Sequence, residues 1–156
     1  MPPNKTSAVI RLRVGVESPP SGVSFAVQRG GAGLLPPTRT GGETHWFEFS
    51  LRLGSPLADG SPNFVGDFAH GPREERFIYI NAGIRAAQAA SCWDRRAKLK
   101  LACIPREFIE KTLNDERHVI EARVPGTASD GGPICASIPA TAITWRLLKV
   151  PHTREW

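Results

Sequence analysis

Residues 9–16, VIRLRVGV, alternate apolar and polar side chains in the manner of a half-buried β-strand. Successive side chains of an extended chain point to opposite faces, so the two arginines of this stretch share one face. The apolar residues that share the other face are Ile10, Leu12, Val14 and Val16. Residues 46–53, WFEFSLRL, repeat the pattern with Phe47, Phe49, Leu51 and Leu53. The two stretches predict a sheet with one face in a hydrophobic core.

Proline and glycine divide the rest of the chain into short segments. The 14 prolines and 15 glycines recur about every ten residues, which is the spacing of turns in sandwiches and barrels. The other predicted strands are residues 23–29, 77–82, 91–103, 118–124, 134–139 and 143–150. One helix is predicted to start at Pro105, because Phe108, Ile109 and Leu113 follow at helical spacing.

The number and length of these elements define the fold class. We predict an all-β, antiparallel sandwich or barrel of about eight strands with one inserted helix. An α+β roll, with the helix packed across one sheet, is the alternative. Residues 8–150 are predicted to form one β-rich domain, with flexible tails at residues 1–7 and 151–156.

Two segments are too rich in glycine and proline for regular structure. Residues 29–43 are predicted to be a loop with an extended middle. Residues 54–75 are predicted to be a second loop, which carries Phe64, Val65 and Phe68. A loop with these apolar side chains is expected to fold back onto the body of the domain.

Composition restricts the classes of function. The chain has 156 residues, with 20 Lys and Arg against 15 Asp and Glu and a net charge of +5, which weakly favours anionic partners. The bases are not clustered in a stripe, so a nucleic acid is not favoured as a partner. Cys92, Cys103 and Cys135 are an odd, scattered set that indicates neither a disulfide framework nor a zinc site. With no apolar run suited to a signal peptide or a membrane span, we expect a cytoplasmic protein.

Residues 91–103, SCWDRRAKLKLAC, are the most unusual part of the chain. As a strand, this stretch places Arg96, Lys98 and Lys100 on one face, about 6.5–7 Å apart. Such a row of like charges is hydrated, paired with acids such as Glu121 or Glu48 on a neighbouring strand, or neutralised by a ligand. Arg95 falls on the opposite, apolar face, where an unpaired guanidinium is costly, so it requires an acid, a carbonyl or a ligand.

Polar residues in and before this strand suggest a ligand site. The predicted ligand-binding residues are Asn81, Gln88, Ser91, Asp94, Arg95, Arg96 and Lys98. Amides, hydroxyls and cations at the end of a β-sandwich are suited to an anionic ligand, although they also satisfy loop backbone groups. The favoured function is therefore a binding domain for a small anionic ligand or a protein partner.

Two other functions stay open. In a small-molecule enzyme, Cys92 or Asp94 would act as nucleophile or base, and Arg95 would stabilise negative charge. No histidine is placed beside Cys92 by the sequence, so no catalytic motif is complete. Weak nucleic-acid binding is the second alternative. No metal site or cofactor is expected, because the four histidines show neither HxH nor HxxxH spacing and a pair such as Asp67 and His70 is too few ligands for a metal.

Several segments together resemble a known family. They are FAVQRG, PNFVGDFAHGP, RFIYINAG, SCWDRRAK, VPGTASDGGP and ITWRLL, and the resemblance extends from about Val9 to Lys149. On these segments the chain is similar to a family of mostly bacterial, single-domain proteins of unknown function. The resemblance implies one stand-alone domain, with residues 77–98 as its most characteristic part, and it implies no catalytic residue.

Overall fold

The computed structural model describes residues 8–31, 33–41, 43–84, 96–129 and 131–151. Within these ranges the strands are β1 (Ala8–Glu17), β2 (Val23–Arg29), β3 (Gly33–Leu35), β4 (Arg39–Gly41), β5 (Thr44–Leu53), β6 (Phe64–Val65), β7 (Phe77–Ile84), β8 (Arg96–Lys100), β9 (His118–Pro125), β10 (Ala136–Ser137) and β11 (Thr144–Lys149). One helix, α1 (Arg106–Asn114), lies between β8 and β9. Short 3-10 turns are found at Arg73–Glu75, Leu101–Cys103 and Ala140–Ala142. Apart from Pro151, the predicted tails lie outside the described residues.

The strands form two sheets that share one core. Sheet A has the order β11-β9-β1-β5-β4, with β6 beside the end of β5, and sheet B has the order β10-β8-β7-β2-β3. The predicted sandwich with one helix is confirmed, and the described residues form no closed barrel. The purely antiparallel arrangement is wrong, because β9 runs parallel to β1 and β10 runs parallel to β8. A parallel neighbour needs a long crossover, which the chain provides by visiting sheet B between β5 and β9.

The core contains the alternating apolar residues of both sheets. In sheet A, Val14 lies opposite Phe47 and Leu12 opposite Phe49, and all four side chains are buried. Sheet B contributes the inward residues Phe25, Val27, Ile78, Ile80, Ala97 and Leu99. Full burial of one such large apolar side chain contributes about 1.5–3 kcal/mol. The alternation at residues 9–16 and 46–53 therefore predicted the inner face of sheet A correctly.

Helix α1 packs beside β1 and β9. Ile109 is buried, whereas Leu113, which belongs to the same apolar pattern, is 45% exposed. Thr112 takes the buried position in the last turn, and its hydroxyl donates a hydrogen bond to the Phe108 carbonyl at 2.9 Å. No helix among the described residues is long and apolar enough to cross a membrane.

The two segments rich in glycine and proline contain short strands. Residues 29–43, predicted to be a loop, include β3 beside β2 and β4 beside β5. Strands of three residues are too short to show an alternating pattern, so the sequence gives no signal for them. In the second segment Phe64 is buried, and the ring centroids of Phe68 and Phe49 are 4.5 Å apart. The predicted folding of this loop onto the core is confirmed.

The outer face of sheet A carries a network of ion pairs around Glu121, which is 2% exposed. Arg123 Nε donates to its carboxylate at 2.8 Å, and guanidinium nitrogens of Arg13 and Arg146 lie at 3.7 and 3.6 Å. The hydrogen bond to Glu121 raises the pKa of Arg123 above its ordinary value. Arg13, Arg123 and Arg146 are thus paired with carboxylates of the same sheet.

Trp46 lies beside this network and covers the backbone of Gly15, its cross-strand neighbour. The guanidinium carbons of Arg123, Arg39 and Arg13 lie 4.9, 5.2 and 5.8 Å from its ring centroid. Cations over an indole ring are attracted by its π electrons. Position 15 has no room for a side chain, because a Cβ there would lie 2.7 Å from Trp46 Cζ3.

Replacing Gly15 by alanine is expected to lower the free energy of unfolding by about 1–3 kcal/mol, because the indole ring must move. Urea denaturation monitored by tryptophan fluorescence measures the loss. The double variant Gly15→Ala, Trp46→Leu should be less destabilised than the sum of its single changes, because the leucine makes room for the methyl group. Strict additivity would show that the ring does not limit this position.

Candidate functional site: the outer face of sheet B

The outer face of sheet B is formed mainly by β2, β7 and β8. We call its polar and aromatic residues the cationic face, and they are Gln28, His70, Phe77, Tyr79, Asn81, Arg96, Lys98 and Lys100. In β8, Ala97 and Leu99 are buried in the core, so Arg96, Lys98 and Lys100 point to the opposite side. The predicted row of three cations is confirmed.

Cross-strand pairing places two of these cations beside aromatic rings of β7. Lys98 is the neighbour of Tyr79, and Lys100 is the neighbour of Phe77. Lys98 Nζ lies 5.1 Å from the ring centroid of Phe77 and 5.9 Å from that of Tyr79. Arg96 Cζ lies 4.0 Å from the centroid of Tyr79. These contacts restrain long, flexible side chains, so the positive charges are held in defined positions.

Gln28 of β2 joins the two sides of the cationic face. Its side chain is nearly buried, and its Oε1 accepts hydrogen bonds from Asn81 Nδ2 and Arg96 Nη1, both at 3.3 Å. Its Nε2 donates to the carbonyls of Gly30 and Gly31 at 3.4 and 3.3 Å. This amide therefore fixes Asn81 and Arg96 relative to each other. Asn81 Oδ1 is buried and has no hydrogen-bond partner among the described residues.

His70 reaches the cationic face from the long segment before β7. Its backbone pairs with Phe77, and its Nε2 lies 3.2 Å from the Gln28 carbonyl oxygen. The ring centroids of His70 and Tyr79 are 5.2 Å apart. The sequence did not predict Gln28, His70 or Tyr79 as site residues. For Gln28 and Tyr79 the signal was their outward register in strands predicted correctly, whereas His70 required the tertiary fold.

The strands of the two sheets differ in their content of acidic residues. The strands of sheet B, as described, contain Arg29, Arg96, Lys98 and Lys100 but no Asp or Glu. The acids predicted to pair with this row, Glu121 and Glu48, lie in sheet A instead, where both bind Arg13. That prediction was wrong because alternation assigns a residue to a face of its own strand and does not say in which sheet the strand lies.

The structure describes three of the seven predicted ligand-binding residues. Asn81, Arg96 and Lys98 are brought together on the cationic face. Gln88, Ser91, Asp94 and Arg95, as well as the candidate nucleophile Cys92, lie outside the described residues. The predicted strand at residues 91–103 is shorter in the described chain, because β8 ends at Lys100 and a 3-10 turn follows.

The structure also bears on metal binding and on the state of two cysteines. The part of the chain described contains no group of three or more His, Cys, Asp or Glu residues that could hold a metal ion. Cys103 is a free thiol, and Cys135 is disulfide-bonded. The view that the cysteines indicate no disulfide is therefore wrong for Cys135. Disulfides form and persist in oxidising compartments, so Cys135 does not favour the expected cytoplasmic location.

The fold and the cationic face together define a β-sandwich domain. Arginines on the outer face of sheet A are paired with carboxylates, whereas the described strands of sheet B carry cations and no Asp or Glu. Residues 10–148 match the model of DUF5990, a family of unknown function, and the chain belongs to this family. The resemblance to a family of unknown function is thereby confirmed. No curated protein and no solved structure matches the chain.

Proposed function

We propose that this protein is a binding domain that holds a small anionic ligand on the cationic face of sheet B. The observation that carries the proposal is the restrained position of Lys98 over two aromatic rings, in a sheet whose described strands contain no carboxylate. A fixed cation with no acid in the described strands of its sheet is well placed to attract an anion. Arg96 and Lys98 supply the charge in this proposal.

Neutral groups beside these cations would determine which anion is bound. Asn81 Oδ1, which has no partner among the described residues, is available to accept a hydrogen bond from a ligand hydroxyl or N–H group. An unsatisfied buried acceptor costs free energy that such a ligand would recover. Gln88, Ser91, Asp94 and Arg95 remain proposed contacts of the same ligand, because they precede β8 in the chain.

The test is a comparison of binding between variants with and without these cations. Inorganic phosphate, citrate and adenosine monophosphate are titrated into the protein by calorimetry. Lys98→Gln and Arg96→Gln are each expected to raise the Kd of the tightest probe at least about 10-fold, since a charged hydrogen bond contributes about 1.5–3 kcal/mol. The matched control, Lys111→Gln on the exposed surface of α1, should leave the Kd unchanged. Equal affinities for all four proteins would refute the proposal.

Single-stranded nucleic acid is a second candidate ligand, because cations alternate with aromatic rings in such binding surfaces. The cations over Phe77 and Tyr79 weaken this alternative, since those ring faces are already in contact with the protein's own side chains. A single-stranded oligonucleotide added to the same titrations distinguishes the two. Tight binding that falls steeply with salt, without binding of the small anions, would favour the nucleic acid.

Three other properties are proposed for this protein. A protein partner could supply the anionic group as a carboxylate side chain. Catalysis by Cys92 or Asp94 with Arg95 stays a prediction. The cysteine version requires a free thiol at position 92, so titration of thiols without reductant tests it first, and a single reactive thiol per chain, that of Cys103, would count against it. A cytoplasmic location in a bacterial cell also stays a prediction, which the disulfide at Cys135 does not support and which cell fractionation tests.

A further inference from the structure

A cavity of about 940 Å³ lies apart from the cationic face, between the β5–β6 connection and the β8–α1 connection. The segment at residues 55–64 forms one side of it, and residues 101–106 form another, with Ile109 of α1 also in the wall. The volume is in the range of pockets that hold small organic molecules. The second segment rich in glycine and proline therefore lines a pocket.

One part of the cavity wall is apolar. The residues that form it are Leu57, Phe64, Leu101, Ile104 and Ile109. Apart from Leu57, these side chains are at least nine-tenths buried and belong to the hydrophobic core. A ligand with a hydrocarbon body would remove this wall from water and gain from the burial.

Arg76, which precedes β7, makes another part of the cavity wall polar and positively charged. Its Nη1 donates to the Gly71 carbonyl at 2.8 Å, whereas its Nε is buried and has no hydrogen-bond partner in the described chain. No carboxylate of the described residues lies within ion-pairing distance of its guanidinium. A half-buried guanidinium without a counterion is costly, and an anion in the cavity would lower that cost.

The charges around the cavity favour a singly charged anion. Its wall includes three arginines, Arg73, Arg76 and Arg106, and two acids, Asp59 and Glu74, which leaves one net positive charge. Hydrogen bonds from Ser61 lower the pKa of Asp59, and the nearby charge of Arg106 lowers it further. Asp59 is therefore ionised and offsets Arg106, whereas Arg76 keeps its charge without such a partner.

Two further polar features point into the same region. Helix α1 begins at the cavity with no side-chain cap, so the backbone N–H groups of its first turn add positive potential there. Asn63 Oδ1, in the cavity wall, is buried without a hydrogen-bond partner among the described residues. It could accept a hydrogen bond from a hydroxyl or N–H group on the ligand.

We propose that this cavity binds a small organic monocarboxylate with an apolar chain. The carboxylate pairs with Arg76 near the start of α1, and the chain lies against Phe64, Leu101 and Ile104. A carboxylate suits Arg76 because a guanidinium offers parallel N–H groups that match its two oxygens. The site uses no residue of the cationic face, so it is independent of the function proposed for that face.

The proposal is tested with hexanoate and, as the uncharged control, 1-hexanol, titrated into the full chain by NMR. Hexanoate is expected to bind with a Kd on the order of 1 mM or tighter, and 1-hexanol at least about 10-fold more weakly. Arg76→Gln should weaken hexanoate about 10-fold, whereas Lys98→Gln on the cationic face should leave its Kd unchanged. Equal binding of hexanoate and 1-hexanol, or no saturable binding of either, would overturn the proposal.

A second measurement covers the case in which Arg76→Gln does not fold. In the unaltered protein, nuclear Overhauser contacts are expected between the hexanoate methyl group and the methyl groups of Ile104 and Ile109. Contacts confined to any other part of the molecule would overturn the proposed site. Because the cationic face is tested with Lys98→Gln and polyvalent anions, failure of one site does not imply failure of the other.

Discussion

Replacing Glu121 by alanine is expected to lower the free energy of unfolding by about 3–4 kcal/mol. This carboxylate is almost fully buried and is shared by Arg13, Arg123 and Arg146. Its removal leaves three cations crowded around an empty position, and it also removes the packing of the side chain. Glu48 and Glu17 still pair with Arg13 and Arg123, which keeps the loss below the upper end of the range for buried ion pairs.

Chemical denaturation of three variants separates the charge of Glu121 from its shape. Glu121→Gln retains most of the volume and removes the charge, so its loss should be large but smaller than that of alanine. Glu17→Gln is the matched control, since Glu17 pairs with the same Arg123 but is much more exposed, and its loss should be below about 1 kcal/mol. A loss for Glu121→Ala as small as that of the control would show that the network does not stabilise sheet A.

The second large effect is expected for Gly71→Ala, with a loss of about 2–4 kcal/mol in the free energy of unfolding. Gly71 has a φ of +89°, a conformation that side chains disfavour. A Cβ there would also lie 2.4 Å from Phe77 Cε2, so the ring could not keep its position. Because Phe77 contacts Lys98 and the Gly71 carbonyl binds Arg76, the change should also disturb both proposed binding sites.

The chain offers a matched control for this substitution. Gly60 has a similar φ of +86°, but nothing lies within 4 Å of a Cβ at that position. Gly60→Ala therefore measures the backbone strain alone and should cost about 1 kcal/mol. The difference between the two alanine variants in thermal or urea unfolding gives the steric part. If the two losses are equal, the contact with Phe77 does not restrict position 71.

The inner faces of the sandwich could be predicted from sequence because burial follows the two-residue period of a strand. At residues 9–16 and 46–53 the apolar residues occupy the core as expected. The same rule placed Lys98 and Arg96 on an outer face. Short elements such as β3 and β4 escaped prediction, since three residues cannot show a period.

Assignment of strands to sheets could not be predicted from the same pattern. Glu121 alternates as an outward residue of β9, yet it is nearly fully buried because three arginines of sheet A cover it. The contacts of Gln28 with His70 and with Asn81 join residues more than 40 positions apart in sequence. The cavity beside Arg76 likewise arises from connections distant in the chain, so no local motif marks it.

We propose that an anion binds to the cationic face of sheet B and not to the outer face of sheet A. Amide chemical shifts during titration with inorganic phosphate and citrate test this most directly, because every strand of both sheets is observed in one experiment. We expect saturable shifts concentrated at Gln28, Tyr79, Asn81 and Lys98, with little change at Arg13 and Glu121. Shifts that are largest in sheet A, or that rise without saturation over the whole chain, would contradict the account.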